Sequence, residues 1–301
     1  MDGATEGILP GSPRSGDPKP VVSVVVPAHN EEAVIAGGLE RLLEGTAPGE
    51  FDVVVVANAC SDRTAEVAGR AGVRVLETPV PGKANALRLG DEVCRTFPRV
   101  YLDADVELDA DSVRALVAAA GEPGVLACAP VPVLALEGVG WIARRMHRVH
   151  DRLISPGRAL AGAGVYVLTE PGHARVFPMP PDIISDDGWA HGSFAPEERV
   201  VVTEARSLVR PARTVSAHLN RRVRVRMGNR QLAELGRSAP EGRLRPSSLG
   251  ALVTAREVSP LDAGCYLAVL LMDKALTRLR AARGGGVAWG TDAGSRSQTG
   301  G

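Results

Sequence analysis

Residues 21–26, VVSVVV, are apolar at almost every position, so they fit a strand only in a sheet covered on both faces. The run meets Pro27, and a helical spacing of Val34, Ile35, Leu39, Leu42 and Leu43 follows Asn30-Glu31-Glu32. The alternation then repeats. Residues 53–56 form a second buried strand that leads into Asn58-Ala59-Cys60-Ser61-Asp62. Ser61 or Asp62 is placed there to cap a helix over 63–70. Residues 73–76 give a third strand, 84–94 its helix, and 100–102 a short fourth strand ending in acids. A β-α-β-α order predicts a parallel sheet with ligands bound beyond the carboxyl ends of its strands. The loops at Asn30-Glu31, 58–62 and 103–105 all fall at those ends.

The second half is less regular. Strands are expected near 125–133 and 200–203, a helix over 140–153, and a Gly-rich approach to a strand over 162–168. Between 206 and 245 eleven arginines face only Glu234 and Glu241. A helix that is either amphipathic or buried is expected over 261–279.

Composition narrows the function. Hydrophobic residues at 45% and charged residues at 23% argue against a disordered chain, a fibrous repeat or a bundle of membrane helices. Lys+Arg and Asp+Glu are both 35, so a whole-chain grip on nucleic acid is not expected. Aromatics at 3% leave few platforms for stacking bases. Cys60, Cys94, Cys128 and Cys265 form no CxxC pair, which fits a reducing compartment and neither a zinc ribbon nor a disulfide framework. Residues 1–20 carry no apolar core of the kind a signal peptide needs. The longest apolar stretch, 263–272, is about half a membrane span. The expected location is the cytoplasm, with peripheral contact at the inner membrane face left open.

The sharpest motif is Asp103-Ala104-Asp105 at a strand end. Two carboxylates one residue apart on a turn suit a hard divalent cation, Mn²⁺ or Mg²⁺, that shares its shell with diphosphate oxygens. A solvated acidic edge continuing through Glu107, Asp109 and Asp111 is the alternative.

Taken in order, Val24-Val25-Val26-Pro27-Ala28-His29-Asn30-Glu31-Glu32, Val54-Val55-Val56-Ala57-Asn58-Ala59-Cys60-Ser61-Asp62, Gly82-Lys83-Ala84-Asn85-Ala86-Leu87 and Leu102-Asp103-Ala104-Asp105 resemble family 2 glycosyltransferases of bacterial type. The resemblance implies a GT-A fold: α/β, a mostly parallel central sheet with helices on both faces, here with a C-terminal helical segment. It implies a nucleotide-diphosphate sugar donor and inverting transfer to a hydroxyl acceptor, which is a saccharide, a lipid-linked group or a small molecule. Donor-side positions are Pro27, His29, Asn30, Glu31, Asn58, Asp62, Lys83, Asp103, Ala104 and Asp105. Asp105 and Asp103 are the metal ligands, Asp105 the more direct. Asn58 stands where the family usually has an aspartate, which puts a uridine donor in doubt, since an amide offers donors as well as acceptors.

Ser185-Asp186-Asp187 resembles the family's acidic pair, with Asp187 as general base and Asp186 beside it; capping of the following helix is the competing reading. Gly162 and Gly164 lie where the family keeps small residues beside the acceptor, and a tight turn explains them equally well; Trp189 is a sugar-face candidate with core packing as the default, and His191 is a weaker acceptor-side candidate. A Gln-x-x-Arg-Trp motif is absent around Val225-Arg226-Met227, so a single, non-processive transfer is expected. Arg222 and Arg226 are candidates for the diphosphate, against a solvated basic face or an anionic membrane surface. His147 and His150 are assigned to a surface helix. The resulting division is a tail over 1–20, a nucleotide-sugar and acceptor domain over 21–205, a basic helical extension over 206–283 and a tail over 284–301. A sugar nucleotidyltransferase and a catalytically silent nucleotide-sugar scaffold are the alternative functions. The first is disfavoured because no glycine follows the first strand at Pro27-Ala28-His29-Asn30-Glu31.

Overall fold

A computed structural model describes residues 19–154, 160–237 and 246–282. Both tails, apart from Lys19 and Pro20, lie outside these residues. The first valine run forms β1 (Val22–Ala28), which continues through Pro27 and is buried along nearly its whole length. Its side chains divide by parity, as a pleat requires. Val22, Val24 and Val26 enter one apolar cluster with Ile35, Leu39 and Leu116, whereas Val25 enters another with Leu87, Tyr101 and Leu168. Both faces are therefore covered. Ser23, the one polar residue in the run, is satisfied by donating to Asp52 Oδ2 at 2.9 Å.

Chain order continues with α1 (Ile35–Leu43), β2 (Phe51–Asn58), α2 (Thr64–Arg70), β3 (Arg74–Thr78), α3 (Lys83–Glu92) and β4 (Arg99–Leu102). β1 pairs in parallel with β2 and with β4, and β2 with β3. The carboxyl ends of β1, β2 and β4 consequently share one edge.

The remainder is β5 (Val106–Leu108), α4 (Ala110–Ala120), β6 (Ala127–Leu134), α5 (Trp141–Ile154), β7 (Val165–Leu168), α6 (Glu170–Val176), α7 (Asp186–His191), β8 (Arg199–Val209), α8 (Val215–Glu234), α9 (Pro246–Thr254) and α10 (Pro260–Ala282). The sheet order is β3-β2-β1-β4-β7-β6-β8-β5. From β7 onward it is mixed: β7 is antiparallel to β4 and β6, β5 is antiparallel to β8, and β6 is parallel to β8. β8 runs across the expected boundary at 205/206, so the basic extension begins after a strand of the main sheet.

The alternation Glu107, Asp109, Asp111 is not simply a solvated edge. Val106 and Leu108 between these acids are buried in β5, and Asp109 caps α4 by accepting from Ser112 N at 2.8 Å. No helix among the described residues is long and apolar enough to cross a membrane.

Helix α3 lies so close to β1 that a Cβ on Gly90 would stand 2.5 Å from Val25 Cγ1 and 3.1 Å from Val56 Cγ2. Both valines are fully buried and have no room to retreat. Gly90→Ala is expected to destabilise the fold by about 1–3 kcal/mol in denaturant unfolding, despite alanine's better helix propensity. An unchanged or raised midpoint would contradict this packing.

Candidate active site

The rim at the ends of β1 and β2 is tied together before any ligand is considered. His29 Nδ1 lies 2.7 Å from the Asn58 carbonyl, Ser61 N donates to Asn30 Oδ1 at 2.8 Å, and Glu31 N donates to Thr64 Oγ1 at 2.8 Å. Asp62 accepts from Glu32 N at 3.1 Å and Thr64 N at 3.0 Å. Its carboxylate is therefore taken up in joining the two loops and starting α2, which is a correction to its assignment as a donor-binding group. The Glu31 side chain is likewise buried. Asn58 is 6% exposed, and its Oδ1 has no hydrogen-bond partner among the described residues.

Gly82, at φ +140, lets the chain turn so that Lys83 is the first residue of α3. The Lys83 ammonium then sits 2.6 Å from Asp103 Oδ1 and 2.8 Å from Asp186 Oδ1. Three segments distant in sequence meet in this one group. Burial alone would lower the lysine pKa, but Asp103, Asp186 and Asp187 together outweigh it and hold it raised. Lys83 is thus a permanent cation. The pocket around it is lined by Pro27, Asp103, Gly164, Tyr166, Asp186 and Asp187.

The two acids before the Trp189 turn are shifted in opposite directions. Asp186 is buried, and its pKa is raised by desolvation and by the neighbouring Asp187 and Asp103, against the pull of Lys83. Asp187 experiences the same desolvation, yet Lys83 and a ring of donors hold its pKa below the ordinary carboxylate value. Those donors are Ser185 Oγ at 2.8 Å and Gly188 N at 2.7 Å on Oδ1, and Gly162 N at 2.9 Å on Oδ2. Ser185 also caps α7. Capping and a charged acid in the pocket coexist here.

Gly164 is required by space as well as backbone. Its φ is +66, and a Cβ there would meet Val106 Cγ2 at 2.5 Å. Its carbonyl accepts from Asp103 N at 2.9 Å, which positions the Asp103-Ala104-Asp105 turn. Asp105 has a raised pKa through burial and the charge of Asp103, with Arg221 and Lys83 opposing. Among the described residues no group of three or more His, Cys, Asp or Glu side chains is arranged to hold a metal.

Several other expected residues have side chains engaged elsewhere. Arg222 and Arg226 do not reach into the pocket as a phosphate clamp. They pair with Asp273 of α10, at 3.2 Å and 2.6 Å respectively. The arginine of that run whose charge bears on Asp105 is Arg221. Trp189 donates its Nε1–H to the Val176 carbonyl at 3.0 Å and lies under the Arg237 guanidinium, in line with the core packing expected by default. His191 is buried against Arg199, whose Nη1 stands 2.7 Å from its Nδ1. His147 is not a surface residue: it is buried and bonds through Nε2 to the Ala212 carbonyl at 2.9 Å.

Two contributors had little local signal. Tyr166 lies opposite Tyr101 in the β4–β7 pairing and stacks on it at 4.9 Å, a juxtaposition visible only once β7 is known to be antiparallel. Gln231 of α8 accepts from Ile184 N at 2.9 Å and donates to the Asp182 carbonyl at 3.0 Å, which holds the acidic loop.

The Asp187 geometry yields a pH test. A carboxylate whose folded pKa is depressed stabilises the fold above the ordinary carboxylate range, and that stability is lost as pH falls through the folded pKa. Asp187→Asn turns one oxygen acceptor into an NH₂ facing an N–H or O–H donor. It is expected to cost about 2 kcal/mol at neutral pH. The gap to wild type in thermal melting should shrink as the solution is acidified. A gap independent of pH would remove the charged carboxylate from this account.

Comparison with known proteins agrees with this architecture. Residues 23–169 match the family model described as glycosyl transferase family 2. An uncharacterized glycosyltransferase of Mycobacterium tuberculosis strain H37Rv is 33% identical over 150 residues, covering 46% of this chain and 66% of the relative. The chain thus spans just under two thirds of that relative. The 4,4'-diaponeurosporenoate glycosyltransferase of Staphylococcus haemolyticus is 30% identical over 103 residues, covering 32% of this chain and 27% of the relative. The solved mannosyltransferase PcManGT of Pyrobaculum calidifontis, in complex with GDP-Man and Mn²⁺, shares the fold with a TM-score of 0.57 at 19% identity, over 92% of this chain and 84% of that one. The ordered motifs, the GT-A arrangement and the family match converge on a family 2 glycosyltransferase domain over residues 23–169.

Proposed function

We propose that the chain transfers a single sugar from a nucleoside-diphosphate sugar to an acceptor hydroxyl, with inversion at the anomeric carbon. The observation that carries this reading is the meeting of Lys83, Asp103, Asp186 and Asp187 in one pocket at the carboxyl rim of a family 2 domain. The donor nucleotide is assigned to the rim formed by His29, Asn30 and Asn58. The unpartnered amide oxygen of Asn58 offers a hydrogen-bond acceptor to the base there.

Asp105 and Asp103 suit a divalent cation. Mg²⁺ and Mn²⁺ need only one or two carboxylates when phosphate oxygens and water complete the shell. The raised pKa of Asp105 reflects its burial first and repulsion from Asp103 second, and a nearby cation would offset both. A bound ion of this kind would supply charge neutralisation for the departing diphosphate. The Mn²⁺ and GDP-Man in the Pyrobaculum fold relative support this choice of cation and donor class. Lys83 adds a fixed positive charge beside Asp103, on the same side of the pocket.

Asp187 is the general base in this reading. Its Oδ1 already accepts two hydrogen bonds, whereas Oδ2 accepts one, from Gly162 N, and keeps a lone pair for the acceptor proton. Its depressed pKa keeps it ionised at neutral pH. Asp186 is committed to Lys83 and positions that cation.

Turnover measured with a range of nucleotide sugars and alcohol acceptors tests the assignment. Asp187→Asn should lower kcat by about 10²- to 10⁴-fold while the donor KM moves only a few-fold. Asp105→Asn should lose most activity together with its dependence on added Mn²⁺. Wild-type turnover in either variant would contradict the role given to that residue.

A further inference from the structure

Helix α10 has two apolar sides, and only one of them is packed. At 100° per residue, Ala263, Tyr266 and Val269 lie on the side that meets Met146 and Val149 of α5. Leu261, Leu267, Leu271, Met272 and Leu279 fall in an arc of about 140° on the other side. They are 46% to 64% exposed, and none of the apolar clusters among the described residues includes them. Exposed Lys274 and Arg278 lie beside these leucines, and a helix with apolar residues on both sides is ordinarily covered on both, so this second side implies a partner beyond the described residues.

The neighbouring helices indicate which partner. Arg145 of α5 pairs with Asp262 of α10 at 2.5 Å, and His150 stacks on Tyr266 further along, so the two helices run side by side in the same direction. The exposed Trp141 and Ile142 of α5 therefore stand at the Leu261 end. Charge is segregated onto the same module. Arg and Lys outnumber Asp and Glu four to one on α5, five to one on α8 and three to two on α10, in a chain whose totals balance at 35 each. Arg148 and Arg152 of α5 are exposed.

A nucleic acid would use the arginines but not four exposed leucines and a methionine. A second copy of this chain would use the leucines but set one arginine surplus against another. A surface that is anionic outside and apolar beneath satisfies both features. We propose that the α5–α10 face docks peripherally on an anionic lipid membrane, with the exposed leucines and Trp141 entering the interface and the arginine surplus meeting the headgroup phosphates. Leu219 of α8 packs in the same cluster, and α8 also carries Arg221 towards Asp105, so the docked face and the pocket share a wall. The proposal stands apart from the transfer chemistry, because vesicle binding needs no nucleotide.

The test is co-sedimentation of the full chain with vesicles of phosphatidylcholine alone and with about 30% phosphatidylglycerol. Binding should be at least about tenfold greater on the anionic vesicles and should fall several-fold at about 0.5 M salt. The double variant Leu267→Glu/Leu271→Glu should lose about tenfold in binding while its thermal melting is unchanged, since both positions are exposed. Light scattering of the vesicle-free protein should give one monomeric mass for both forms. Absence of binding, equal binding to both vesicle types, or full binding by the variant would overturn the proposal. So would a wild-type dimer that the variant dissociates, which would assign the face to a second copy.

Discussion

The pocket depends on one buried-edge cation. Lys83 is the group that allows Asp103, Asp186 and Asp187 to occupy neighbouring positions, since three clustered carboxylates without it would repel one another and take up protons. Its place follows from backbone geometry, because Gly82 adopts a conformation that side chains resist and α3 then begins at the lysine. The helix is in turn fixed against β1 through Gly90. A chain of packing constraints thus runs from the first valine strand to the charge balance of the site. The same arrangement divides the partners of the two adjacent acids, with Asp186 bound to the cation and Asp187 to a ring of N–H and O–H donors.

Much of the first half was legible because burial on both sheet faces leaves a strong trace in composition. The runs at 21–26 and 53–56 had no other reasonable fate, and the polar residues that interrupt the pattern fell at the ligand edge. The acids at 107, 109 and 111 concealed β5 and the start of α4, because short strands with one buried face resemble an acidic turn. The antiparallel entry of β7 was equally hidden. Pairing direction is a long-range property, and four residues carry no local sign of it.

Among the residues expected at the site from ordered motifs, Lys83, Asp103, Asp186 and Asp187 line one pocket, and the charge of Asp103 bears on Asp105. The expected residues that lie elsewhere share a physical cause. Arg222, Arg226, Asp62, Trp189 and His191 have chemistry suited to ligands, but each is engaged by a partner within the fold: Asp273, the Glu32 and Thr64 amides, the Val176 carbonyl and Arg199. Residue type announces what a side chain can bind, whereas the fold decides whether it is already bound. Gln231 is the converse case: an ordinary helical glutamine that holds the loop bearing both acids.

The central claim is that the rim binds a nucleoside diphosphate with the help of a divalent cation. Calorimetric titration of the protein with UDP, GDP, ADP, CDP and dTDP, each with Mn²⁺, with Mg²⁺ and with EDTA, tests it most directly. The account predicts tight binding of one nucleotide that is lost in EDTA, and the identity of that nucleotide would show how Asn58 selects the base. No binding of any nucleotide under any condition would contradict the account and leave the domain as a scaffold without a donor site.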